Sequence, residues 1–129
     1  MGRLGHRLAT LAVMASMAAL PGCIFDGLVY DDGSGISRGP SRDGLLLDGS
    51  RLPVRRQGLW IPPRWSSRGL NYGIDEMVSL LVYSGRAVDM RMPGRVLSVG
   101  DISRAVGGRS QWHRSHQTGR DVDLLFFMR

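Results

Sequence analysis

The run His113-Arg114-Ser115-His116-Gln117-Thr118-Gly119-Arg120-Asp121-Val122-Asp123, followed at once by Leu124-Leu125-Phe126-Phe127, decides how this chain is read. Two of the three histidines stand here, three residues apart; the third is His6. The stretch from Asp121 to Phe127 is rich in strand formers and apolar on both faces from Leu124 on, so it predicts a central, buried strand. On a strand, side chains two apart share a face, which puts Asp121 and Asp123 side by side. Paired carboxylates at the start of a buried strand are costly unless a cation meets them. Arg114, Arg120 or a metal ion would serve. Imidazole and carboxylate together make a plausible donor set for catalytic zinc. The HExxH arrangement of helical zinc peptidases is absent, so a loop histidine and a strand aspartate would have to be brought together by Gly119. From the residues alone two readings stand: loop histidines beside aspartate–arginine pairs, or a metal site.

Working back toward the N-terminus, Val106-Gly107-Gly108-Arg109 is a glycine loop without the ending of a phosphate-binding loop. Val96, Leu97 and Val99 predict a short strand closed by Gly100-Asp101. The convincing helix precedes it. Asp75 is placed to cap its N-terminus, with Glu76 in the first turn. Met77, Val78, Leu81, Ser84, Gly85 and Val88 recur at three- and four-residue steps and give one buried face. Met90-Arg91-Met92-Pro93-Gly94 ends it. Trp60-Ile61-Pro62-Pro63, with Trp65, is a proline-broken apolar stretch that fits a loop or edge segment over a core. Its aromatics read first as packing and second as a groove lining. Leu45-Leu46-Leu47 and the Asp48-Gly49 turn open the domain near Gly44. These elements together predict an α+β fold: a small antiparallel sheet with one main helix.

The first residues read as an address. Arg3 and Arg7 precede an apolar run from Leu8 to Leu20, which has the length of a signal-peptide core and is too short to span a bilayer. It ends in Leu20-Pro21-Gly22-Cys23, which resembles a bacterial lipobox with Cys23 as the lipidated residue. Residues 1–22 are therefore expected to be a lipoprotein signal peptide. Residues 23–43, rich in Gly, Ser, Asp and Pro, are expected to be a flexible linker. Such an anchor holds a protein to a membrane without crossing it. Ile24 after the cysteine favours the outer over the inner membrane, with the protein in the periplasm.

Composition bounds the rest. The 129 residues suffice for one domain. All seventeen basic residues are arginine, against eleven acids, for a formal charge of +6. They are scattered, with no basic stripe or interleaved aromatics, so nucleic acid is not an expected partner. A positive surface suits an anionic polymer such as the bacterial wall. One cysteine excludes an internal disulfide framework.

Gly107-Gly108 followed by His113-x-Ser115-His116-Gln117-x-Gly119-x-Asp121-Val122-Asp123 resembles the signature of the penicillin-insensitive murein endopeptidases (the MepA family). It contains the wider HxxxxxxD pattern, here His116 to Asp123, shared with lysostaphin-type peptidases and D-Ala-D-Ala dipeptidases. Asn71-Tyr72-Gly73 and Val99-Gly100-Asp101-Ile102-Ser103 match that family's pattern as well. The resemblance runs from about Gly44 to the end of the chain, and it is specific around His116. It implies that His116 and Asp123 are zinc ligands, that His113 is a further metal-associated histidine, and that Asp121 orients a ligand or holds the start of the strand. It implies a Zn2+ cofactor, a peptidoglycan substrate and hydrolysis of D-alanyl–diaminopimelyl cross-links. Residues 44–129 would then be the N-terminal part of a zinc-peptidase domain. The family takes another ligand from a downstream HxH motif, and no histidine follows His116 here. The expectation is a chain with an incomplete zinc site, impaired as an enzyme and without an assignable catalytic base. The alternative is a non-catalytic envelope lipoprotein that binds peptidoglycan or metal.

Overall fold

The computed structural model describes residues 33–125. The apolar leader, Cys23, His6 and Phe126-Phe127 lie outside the described residues, so the expectations placed on them are carried forward as such. Within 33–125, β1 (Ile36–Arg38) and β2 (Leu45–Leu47) form an antiparallel hairpin with Ile36 opposite Leu47. β3 (Ser50–Arg51) pairs antiparallel with β6 (Tyr72–Gly73). The largest sheet has four strands in the order β4 (Arg55–Arg56), β5 (Leu59–Trp60), β7 (Leu97–Val99), β8 (Leu124–Leu125). Its β4–β5 and β7–β8 pairs are antiparallel and its central β5–β7 pair is parallel. A parallel pair needs a crossover, and this one contains the main helix, α2 (Asp75–Arg91). The result is the α+β arrangement read from the sequence, with one parallel pair in its sheet.

Helix α2 lies against the sheet through the stripe its spacing predicts. Val78, Leu81, Val82 and Gly85 are buried, and Met77 and Val88 pack half-buried against the core of Leu52, Leu59, Ile61, Leu97, Val99 and Ile102. Burying such a side chain contributes roughly 1.5–3 kcal/mol, so this seam is what holds the crossover on the sheet. Gly85 sets how close it comes: a Cβ there would sit 2.9 Å from the Gly58 carbonyl oxygen and from Leu59 Cβ. No helix among the described residues is long and apolar enough to cross a membrane.

Four expectations are corrected. The N-cap of α2 is Ile74, without a side-chain cap; Asp75 is the first helical residue. Its carboxylate is buried and turned outward to accept from the Gly35 amide at 3.0 Å and from the Ser50 hydroxyl. Those partners come from 40 and 25 residues away, so tertiary contacts outbid local capping. The tail of the expected linker is folded: Ile36–Arg38 is β1, and the Asp43 amide bonds to the Pro40 carbonyl at 3.1 Å in the turn between β1 and β2. Gly and Pro there serve a hairpin turn rather than a tether. The proline-broken stretch splits into β5, an inner strand, and α1 (Pro63–Ser66), where Pro63 occupies the first helical position that tolerates it. Finally, the strand expected over Asp121–Phe127 is β8, Leu124–Leu125, at the edge of the described sheet. Leu124 is 57% exposed. Apolar runs report strand propensity, whereas burial is set by neighbours, and among the described residues β8 has a partner on one side.

Candidate metal centre

The site forms where β7 ends and β8 begins. The Gly100 amide donates to the Asp123 carbonyl at 2.7 Å, and the Asp123 amide donates to the Asp101 carbonyl at 2.9 Å. This backbone pairing fixes two carboxylates, Asp101 and Asp123, on adjacent chains. The Ile102 amide bonds back to Leu70 at 2.6 Å, which ties the same corner to the segment after α1.

Between these two strand ends runs the segment that carries the histidines, pinned by its glycines and by Gln117. Gly107 makes an isolated bridge with Leu45. The Gly108 amide bonds to the carbonyls of Gly44 and Gln117 at 3.1 and 3.0 Å. Gly107 has φ +66, and a Cβ there would overlap the Gln117 carbonyl and the Leu46 amide. The buried Gln117 side chain donates to the carbonyls of Arg42 and Arg114. The loop is therefore built rather than loose, and His116 is held at its buried turn in the left-handed region, φ 64. A non-glycine residue in that region carries a conformational cost that its surroundings must offset. Here the His116 amide donates to Asp121 Oδ2 at 3.2 Å, and its ring contributes a second anchor.

That anchor fixes the chemistry of the ring. His116 Nδ1 lies 2.9 Å from the Ile102 carbonyl oxygen. A carbonyl only accepts, so Nδ1 carries the hydrogen and the neutral ring presents its lone pair at Nε2. Nε2 faces Asp123 Oδ1 at 3.3 Å. Two acceptors thus look at each other, an arrangement satisfied by a cation, whether a proton on the ring or a metal ion. His113 completes the group, its ring centroid 4.5 Å from that of His116; its Nε2 is 3.7 Å from Asp123 Oδ2 but 2.8 Å from Asp101 Oδ2, and a ring that donates from Nε2 to Asp101 has its lone pair for a cation at Nδ1. One candidate donor atom from each of His113, His116 and Asp123 lies within 4.8 Å of the others. The three residues fit a small cation with imidazole and carboxylate preferences.

All four residues singled out from the sequence are found here, in different roles. His113, His116 and Asp123 converge, and Asp121 turns its carboxylate to the backbone of His116. Neither arginine considered as a partner is found on Asp121 or Asp123. Arg120 donates instead to the Gly39 carbonyl at 2.9 Å. The residues the sequence reading did not single out are Asp101 and Arg68. Asp101 Oδ2 accepts from Arg68 Nη1 at 2.6 Å and lies 2.8 Å from His113 Nε2. Asp101 is 1% exposed, and its Oδ1 is buried with no hydrogen-bond partner among the described residues. The available signal was the place of Asp101 in the Val99–Ser103 family match, just past β7; its partners lie too far off in sequence to be paired by eye.

Comparison with known proteins places this geometry. A family model described as penicillin-insensitive murein endopeptidase matches residues 37–129. Curated relatives of that name from Escherichia coli O1:K1 / APEC and from Escherichia coli strain SMS-3-5 / SECEC are each 30% identical over 120 residues, covering 92% of this chain. The chain spans 43% of the length of these relatives.

Proposed function

The chain belongs to the penicillin-insensitive murein endopeptidase family, and from that premise we propose that His113, His116 and Asp123 hold a zinc ion used to hydrolyse D-alanyl–diaminopimelyl cross-links of peptidoglycan. The observation that carries this reading is the opposed pair of His116 Nε2 and Asp123 Oδ1, with Nδ1 committed to Ile102. A histidine whose second nitrogen is hydrogen-bonded to a carbonyl or carboxylate is the usual form of a metal-bound imidazole. His113 would bring the donors to three, the number typical of catalytic zinc, but the family's downstream HxH ligand is not among them and no catalytic base is assigned, so we propose a weakened site and impaired hydrolysis. Bound there, zinc supplies Lewis-acid polarisation of an amide carbonyl and a lowered pKa for water.

The chain's own residues do the positioning. Asp121 holds the His116 backbone in its left-handed turn, and Asp101 holds the His113 ring. Arg68 in turn pairs with Asp101 at 2.6 Å and fixes its carboxylate. The placement of the protein follows from the leader: we assign residues 1–22 to export and Cys23 to lipid anchoring, with the domain facing peptidoglycan in the periplasm, at the outer membrane.

The test is metal content and murein cleavage measured together. Purified protein, loaded with zinc and dialysed, is expected to retain about one zinc per chain, and His116→Ala and Asp123→Asn are expected to lose it. Cross-linked muropeptides incubated with the loaded protein should yield uncross-linked products by chromatography. Failure of the wild-type protein to retain zinc sinks the metal assignment. Retained zinc and murein co-sedimentation without product would favour a non-catalytic binding lipoprotein instead.

A further inference from the structure

The segment that delivers His113 also walls a basic cavity. About 390 Å³ of space is bounded by Arg68, Arg104, Arg109, Ser110 and Trp112 among others. An adjoining space of about 430 Å³ shares Arg68 and Trp112 and adds Arg64. Four arginines thus border the two spaces, and neither lining contains an aspartate or glutamate.

The arginines are not equivalent. Arg68 is matched by Asp101 behind it, at 2.6 Å. Its guanidinium lies 4.3 Å from the Trp112 ring centroid and 5.6 Å from that of Trp65, so it makes cation–π contacts with both indoles. Arg104 is folded over the loop by a 3.0 Å bond from Nη1 to the Arg109 carbonyl. Arg104 and Arg109 are both exposed, so they bring charge to the cavity with their side chains in solvent. A guanidinium is a planar, permanently charged donor whose geometry matches a carboxylate.

The cavity wall is tied to the metal centre by shared hydrogen bonds. Ser110 Oγ, in its wall, accepts from the His113 amide at 3.1 Å. Trp112 is the residue before His113 in the chain, and Arg68 and His113 meet on the same oxygen of Asp101. A peptide whose reacting amide sat at the cluster would have Trp112 and the arginines beside its flanking residues.

We propose that the cavity between Arg68, Arg104, Arg109 and Trp112 is a subsite that receives a side-chain or terminal carboxylate of the peptide substrate next to the His113–His116–Asp123 cluster. The identity of the ligand as a wall peptide rests on the peptidase reading above; the preference for a carboxylate rests on the cavity. Arg104 and Arg109 supply the charge, and Trp112 supplies an apolar wall, half exposed, for the chain that carries it.

The experiment uses calorimetric titration of the full chain with the tripeptide L-Ala-γ-D-Glu-meso-diaminopimelate. The probe is compared as free acid and with all of its carboxylates amidated. A charge-assisted hydrogen bond lost in this way corresponds to roughly tenfold in affinity. Wild-type protein is expected to prefer the acid by about tenfold or more, and Arg104→Met/Arg109→Met to abolish that preference. Circular dichroism of this variant should match wild type, since both side chains are exposed. Arg86→Met/Arg91→Met on α2 controls for net charge and should leave the preference intact. The proposal is overturned by equal binding of acid and amide, by no binding of the acid in the millimolar range, or by an effect of the α2 variant as large as that of the loop variant. Zinc retention measured on the same samples separates the two readings. His116→Ala that loses zinc yet keeps the acid preference leaves the subsite standing, and wild-type protein that holds zinc without preferring the acid defeats the subsite alone.

Discussion

Arg68→Met removes the cation against which Asp101 is buried while keeping an unbranched stem between Trp65 and Trp112. Asp101 is 1% and Arg68 12% exposed at the side chain, and they meet at 2.6 Å. An exposed ion pair of this length would be worth about 1 kcal/mol or less. Breaking a buried one leaves a charge without compensation and costs roughly 3–5 kcal/mol. His113 Nε2 remains within 2.8 Å of the same oxygen as a donor, so the low end, about 3 kcal/mol, is expected. For a domain of this size each kcal/mol moves the melting temperature by about 4–8 °C, which gives a fall of roughly 12–24 °C. Urea unfolding followed by tryptophan fluorescence reads the same quantity as a lower midpoint at unchanged slope. A second variant, Arg68→Met/Asp101→Leu, removes both charges and should cost less than Arg68→Met alone, because no ion is left buried. If Arg68→Met costs under about 1 kcal/mol, or the double variant costs the sum of the two single changes, Asp101 does not depend on Arg68 and the clamp on His113 is misassigned.

Three further outcomes follow from particular contacts. Asp121→Ala removes the acceptor for the His116 amide and should weaken zinc binding about 10–100-fold in a chelator competition titration, with little change in melting temperature without metal. Gly107→Ala puts a methyl group into the Gln117 carbonyl at a positive φ, and a loss of about 1–3 kcal/mol in chemical denaturation is expected; a neutral result would mean that the loop moves freely. Asp75→Ala removes the acceptor that the Gly35 amide and the Ser50 hydroxyl share; about 1–3 kcal/mol should be lost, with faster amide exchange over residues 36–47 than over α2.

Much of this was legible in the sequence because it is periodic or local. The stripe of α2 and the apolar pattern Val96, Leu97 and Val99 at β7 announce themselves within a few residues. So does the His-x-x-His spacing, since three residues within one loop are enough to bring two rings together. What stayed hidden depends on residues far apart. Arg68 and Asp101 are 33 positions apart, and nothing in either neighbourhood points to the other. Asp75 has the composition of a cap and a better offer from Ser50 and Gly35. Ser37-Arg38-Gly39-Pro40-Ser41 has the composition of a linker, and only its pairing with the leucines of β2 makes it a hairpin arm. The edge position of β8 is likewise a property of the sheet, which no inspection of its own leucines can supply.

The bonds that join Gly100 and Asp101 to Asp123 have a kinetic meaning as well. They close the whole histidine-bearing loop, and the entropy of that closure must be met before the β7–β8 ladder returns any stabilisation. His116 and Asp123 therefore owe their spacing to that closure, and neither side of it supplies the pair alone. A cation bound between them would act as a staple on that loop and would raise the unfolding temperature with the logarithm of its concentration. Chelation would then act on this protein as a selective denaturant, loosening the loop first and leaving α2 on its sheet.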